Sequence, residues 1–157
     1  MRLYVIRHGK AHPAPSGHTD DLRPLTDRGW RQARWLGRSL AADQPPLLLL
    51  HSPILRAVET ASAIAESIDC PAAVEPMLAT GRRPSDVLEV VRRNASVGVL
   101  ALVGHNPHFE DFTGLMCQGI GASARLRTGE MAVLECSPAA EPGKARLLEL
   151  RRLDESD

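Results

Sequence analysis

Leu3-Tyr4-Val5-Ile6-Arg7-His8-Gly9 is an apolar run rich in β-formers that stops at Arg-His-Gly. A run of this kind reads as a buried strand of a parallel sheet. It delivers Arg7 and His8 to the carboxyl edge of that sheet. Gly9 then permits a tight turn or a close approach of backbone to ligand. Ligands of open α/β sheets bind beyond the carboxyl ends of the strands. The stretch therefore predicts an anion site with a histidine at its centre. Three residues alone are equally compatible with an ordinary loop, so the rest of the chain decides.

Two other segments repeat the pattern. Leu47-Leu48-Leu49-Leu50 reads as a second buried strand and is followed by His51-Ser52-Pro53. Ser52 is a candidate N-cap and Pro53 suits a first helical position. The helix predicted over 54–68 carries Arg56, Glu59 and Thr60 in its first turns. Val97 to Val103 is the clearest strand and ends in Gly104-His105-Asn106-Pro107. Again a histidine sits beside a glycine at a strand's carboxyl end.

Between these lie the remaining elements. Lys10 to Asp21 is a long turn-rich loop, either a partial lid or a mobile surface loop, with His12 and His18 expected in solvent. Arg23-Pro24-Leu25-Thr26 closes it, and Thr26 caps a helix over 27–42 that buries Trp30, Ala33, Leu36, Gly37 and Leu40. An edge strand is expected over 72–75 and an irregular stretch over 77–84. Ser85 caps a helix over 86–94 with Val87, Val90 and Val91 inward, and a further helix covers 108–117. Two antiparallel strands follow over 130–136 and 145–150, then a frayed acidic tail over 154–157. The fold class is α/β: a three-layer sandwich with a mostly parallel central sheet and helices on both faces.

Composition sets limits. The 157 residues suggest a single domain, 1–157, with 43% hydrophobic residues to fill its core. Lys+Arg and Asp+Glu balance at 19 each, which removes a global electrostatic case for nucleic acid or a membrane surface. No apolar run approaches the roughly 18 residues of a membrane span. Of the cations only Lys10 and Lys144 are lysines. Arginine's rigid fork suits phosphate, although codon bias would produce the same excess. Cys70, Cys117 and Cys136 are odd in number and scattered, as expected of reduced thiols in the cytoplasm. No leader pattern opens the chain.

The ordered set Arg7-His8-Gly9, Arg23-Pro24-Leu25-Thr26, Ser52-Pro53-x-x-Arg56-Ala57-x-x-Thr60 and Gly104-His105-Asn106-Pro107 gathers three arginines and two histidines at one edge. Unpaired cations are too costly to bury for packing alone, whereas a dianion among them would balance the charge. The set resembles the histidine phosphatase superfamily, with its phosphoglycerate mutase-like fold. Among its members the chain looks most like the short SixA-type phosphohistidine phosphatases, which share the small size and the Arg-Pro-Leu-Thr segment.

The resemblance implies that His8 is the nucleophile and that Arg7, Arg56 and His105 bind phosphate, with Arg23 added by the SixA-type likeness. It implies hydrolysis through a phosphohistidine intermediate without metal or cofactor. Neighbouring arginines would keep His8 a free base, a backbone carbonyl would fix its tautomer, and a protonated His105 would bond the transferring group. The usual acid after the third strand is missing from Met77-Leu78-Ala79-Thr80-Gly81-Arg82-Arg83. Asp20, Asp21, Glu59 and Glu75 are substitutes, and Glu59 is equally placed to pair with Arg56. Lacking that acid and a large cap, the chain suits phosphohistidine on a partner protein domain. The alternatives are a small phosphoester, in the same fold, or a non-catalytic phosphate-binding module. A monomer is expected. Gly119-Ile120-Gly121-Ala122-Ser123-Ala124 reads as a loop, His51 as the start of the Ser52 cap, and Arg82-Arg83 and Arg92-Arg93 as solvated faces. A zinc site at His105 and His108 is not expected, since they lack a carboxylate partner.

Overall fold

A computed structural model describes residues 1–155. Its centre is the first quoted stretch. β1 (Arg2–Arg7) lies inside a six-stranded sheet and has Leu3, Tyr4, Val5 and Ile6 at 0% exposure. Alternation along the strand sends these side chains to opposite faces. Leu3 and Val5 join one hydrophobic cluster, Tyr4 and Ile6 the other.

The elements follow in the order α1 (Asp27–Ala42), β2 (Leu48–His51), α2 (Leu55–Ala65), β3 (Ala72–Val74), α3 (Pro84–Arg93), β4 (Val99–Gly104), α4 (His108–Gln118), β5 (Met131–Glu135) and β6 (Arg146–Arg151). The strand order is β3-β2-β4-β1-β5-β6. β1, β2, β3 and β4 run parallel, while β5 and β6 are antiparallel additions. α1 and α2 pack on the Tyr4 face, α3 and α4 on the Leu3 face. The expected three layers are thus present. β1 and β4 are neighbours in space but far apart in sequence, so their carboxyl ends open a crevice at a topological switch point.

Several boundaries differ from the sequence reading. Gly98 has φ +85°, which favours glycine, and separates a 3-10 turn (Ala95–Val97) from β4, so that strand begins at Val99. Leu47 is exposed and precedes β2. α2 stops at Ala65, and its N-cap is Ile54 rather than Ser52. α3 starts at Pro84, and Asp86 accepts from the Arg83 N–H at 2.9 Å, so Ser85 is not the cap. Trp30 is half-buried; Gly29 and Gln32 take fully buried places on α1. Thr26 does cap α1, accepting from Gly29 N–H. Of the acidic tail, Glu155 pairs with Arg31 at 2.8 Å, while residues 156 and 157 lie outside the described residues. Arg92 donates to the carbonyls of Ala139 and Ala140, and Arg93 pairs with Glu75, so these arginines are bonded rather than merely solvated. No helix among the described residues is long and apolar enough to cross a membrane.

Candidate active site

The backbone leaving β1 is held at every step. His8 N–H donates to Gly104 O on β4, and His8 O accepts from Gly129 N–H just before β5. Gly9 N–H donates to Thr60 Oγ1 on α2, and Lys10 N–H to Gln32 Oε1 on α1. Lys10 O accepts from Thr26 N–H and its hydroxyl. This fastening requires glycines. A Cβ on Gly9 would lie 2.7 Å from Gly29 O, and one on Gly29 would collide with the Lys10 carbonyl oxygen.

Around this anchor the structure gathers Arg7, His8, Arg23, Arg56 and His105 in one pocket of about 330 Å³, together with Lys10, Ala11, Asn106 and Thr128. All five predicted residues therefore meet. His8 Nδ1 lies 2.8 Å from its neighbour's carbonyl, Gly9 O. A carbonyl only accepts, so Nδ1 carries the proton. On the other side Arg56 Nε–H donates to His8 Nε2 at 3.3 Å. Two independent partners thus select the same tautomer and leave Nε2 as the basic nitrogen. The ring is buried, and its pKa falls from 6.5 to about 4, first because of burial and then because of Arg56, Arg7 and Arg23, with the Gly9 bond opposing. The free base was expected from the arginines alone; desolvation turns out to be the larger cause.

His105, at the end of β4, faces His8 with ring centroids 5.2 Å apart. Burial, then His8 and Arg56, push its pKa down to about 2. Burial and the neighbouring cations thus favour the neutral ring of His105 over the expected imidazolium. Its Nε2 lies 2.8 Å from Ser52 Oγ.

Arg7 donates through Nη1 to Leu126 O at 3.2 Å, and Leu126 O also accepts from Asn106 Nδ2. Glu110 in turn accepts from Leu126 N–H. Arg56 is 4% exposed at the start of α2. Its Nη1 donates to Asp20 O and its Nη2 to Asp20 Oδ2, both at 3.0 Å. Arg23 donates to His12 O and to Asp20 Oδ1. Asp20 therefore bridges two of the gathered arginines. Its slight burial raises its pKa, but Arg56 and Arg23 outweigh this and lower it.

The other acid candidates lie elsewhere in the hydrogen-bond network. Glu59 Oε1 accepts from Leu25 N–H at 2.9 Å, which fastens the Arg-Pro-Leu-Thr segment, and no Glu59–Arg56 pair forms. Glu75 accepts from Met77 N–H and pairs with Arg93. Asp21 is exposed. The Lys10–Asp21 loop folds back on its own end through an Ala11–Leu25 bridge and a His12 N–H to Pro24 O bond. His12 and His18 are exposed, as expected. His51 is buried and donates from Nδ1 to Ser52 O.

Sequence reasoning missed Leu126, Thr128, Gly129 and the approach of Ser52 to His105. A glycine just before β5 is a signal for the third of these; the others depend on tertiary approach. Chemically, the arrangement joins an unprotonated, oriented imidazole nitrogen to converging guanidinium groups. Such a nitrogen can attack phosphorus while the guanidiniums hold the phosphoryl oxygens.

The model of the histidine phosphatase superfamily (branch 1) matches residues 3–82. An uncharacterized protein, Rv1276c of Mycobacterium tuberculosis (strain H37Rv), is 36% identical over 156 residues, covering 91% of this chain and 96% of the relative. The chain belongs to the histidine phosphatase superfamily. Phosphohistidine phosphatase SixA of Escherichia coli (strain K12) is 30% identical over 76 residues, 48% of this chain and 46% of that protein. A solved structure of the protein histidine phosphatase SixA complexed with tungstate superposes with a TM-score of 0.84 at 22% identity, covering 97% of each chain. The phosphoglycerate mutase-like fold and the phosphatase class of the superfamily stand with these likenesses.

Proposed function

We propose that this chain, acting as one catalytic domain over 1–157, is a metal-independent phosphatase that passes the phosphoryl group through His8 and acts on protein phosphohistidine. The observation that carries the reading is the paired tethering of His8: Nδ1–H on Gly9 O, Nε2 facing the arginines. In this reading Nε2 attacks phosphorus in line, and the leaving nitrogen or oxygen departs with the electron pair of its bond to phosphorus. Arg7, Arg23 and Arg56 take the phosphoryl oxygens and His105 adds a neutral donor. Water then hydrolyses phospho-His8 and restores the free base. Phosphoryl transfer needs positioning and charge stabilisation above all. The pocket wall is cationic, which suits a dianion and disfavours a metal ion.

The protein-borne substrate is supported by two features. Asp20, the acid paired with two of the pocket arginines, is held ionised by Arg56 and Arg23, so little acid help is at hand there, and a phosphoramidate needs less of it than an alkyl ester. The likeness to SixA proteins points the same way. The test is hydrolysis of a phosphohistidine-bearing domain beside a panel of phosphomonoesters, with EDTA present and His8→Ala as control. Turnover confined to monoesters would move the substrate to metabolites. Inertness of wild type on every substrate would leave a phosphate-binding module.

A further inference from the structure

Ser52 sits at the carboxyl end of β2, fully buried, and does not cap α2. Its Oγ accepts from Ile54 N–H at 3.1 Å and lies 2.8 Å from His105 Nε2. A hydroxyl has one proton to give. Among the described residues His105 Nε2 is the acceptor available to it. If Ser52 donates there, the neutral imidazole carries its proton on Nδ1. The opposite tautomer would leave the Ser52 proton and the Nδ1 lone pair both unbonded in a buried place. Unmade buried hydrogen bonds are costly, so the first arrangement prevails.

The consequence lies on the far side of the ring. Among the described residues His105 Nδ1 is buried without a hydrogen-bond partner, on a side chain 2% exposed that lines the pocket. An N–H there is a donor waiting for an acceptor. We infer that Ser52 is a positioning residue: its hydroxyl holds His105 as the Nδ1–H tautomer, so that Nδ1–H donates to a phosphoryl oxygen. Ser52 meets neither the phosphoryl group nor His8; it acts through His105. The inference rests on the reading of this pocket as a phosphoryl site.

Long-range proton–nitrogen correlation spectra of histidine-labelled protein report each ring's tautomer directly, with His105→Gln assigning the signal. The wild type should show His105 protonated on Nδ1 at neutral pH, and inorganic phosphate should shift that proton. Ser52→Ala should lose the tautomer preference and drop kcat/KM roughly ten- to a hundredfold, the range of one hydrogen bond to a charged group. Ser52→Thr, which keeps the hydroxyl, should restore both. An Nε2–H tautomer in the wild type would overturn the inference whatever the activity. So would a Ser52→Ala protein with a changed tautomer and full turnover. The tautomer is read without turnover, so failure of the phosphatase reading and failure of the Ser52 assignment are separate results.

Discussion

Asp20 Oδ2 lies 3.0 Å from Arg56 Nη2, and the same residue's carbonyl takes Arg56 Nη1. A carboxylate thus sits on the arginine proposed to hold phosphate, while its other oxygen meets Arg23. An incoming oxyanion must share or displace it. Asp20→Asn should therefore bind tungstate or inorganic phosphate several-fold more tightly, seen as a lower Kd by calorimetry. An unchanged or weaker Kd would mean that Asp20 does not compete with ligand.

The orientation of His8 specifies which nitrogen is phosphorylated. With Nδ1–H committed to Gly9 O, the lone pair is on Nε2, where Arg56 Nε–H donates to it and must give way to phosphorus. A phosphoenzyme trapped by alkaline quench should carry phosphorus on Nε2 of His8, read by phosphorus NMR, and should be missing from His8→Ala. Phosphorus found on Nδ1 would require the ring to turn over and would discard the proposed geometry.

Burial of the histidines links the site to stability. His8 has a folded pKa of about 4 against 6.5, and His105 and His108 shift the same way, mainly through burial. The unfolded chain therefore binds more protons, and stability is fullest above pH 6.5. It is lost as pH falls from 6.5 toward 4, by about 3 kcal/mol from His8 alone at the acid end. Urea unfolding at pH 7, 6 and 5 should show a midpoint that drops steadily. A flat profile over that range would contradict the depressed values. The acid limb of kcat/KM should likewise lie near pH 4 rather than 6.5.

Strand ends were legible in the sequence because burial leaves a plain signature. The short apolar runs rich in β-formers before His8 and His105 read as interior strands, and their carboxyl ends met where a parallel sheet places them. Thr26 was legible as a cap, since capping is local. What escaped depended on segments distant in the chain. Ser52 looked like a cap until His105, on another strand, came within reach of its hydroxyl. Glu59 looked like a helix partner of Arg56 until Leu25 offered a closer N–H. The start of β4 was misplaced because one positive φ at Gly98 interrupts a run that hydropathy alone reads as continuous.

The close approach of Gly9 and Gly29 ties the first turn of α1 to the loop that carries His8. Both peptide planes meet where a side chain would stand, and a Cβ at Gly29 meets the Lys10 carbonyl oxygen, a backbone atom that cannot swing aside. Lys10 O is already taken by Thr26, so the loop cannot retreat without breaking that bond. Replacing glycine by alanine within a helix is normally favourable. Here it should cost about 1–3 kcal/mol through overpacking and displace His8 from Arg56. Thermal unfolding should show a lower Tm, and kcat should fall further than KM rises, because the misplaced group is the proposed nucleophile. A stabilised Gly29→Ala protein with unchanged kcat would show that the loop and the helix move independently of the site.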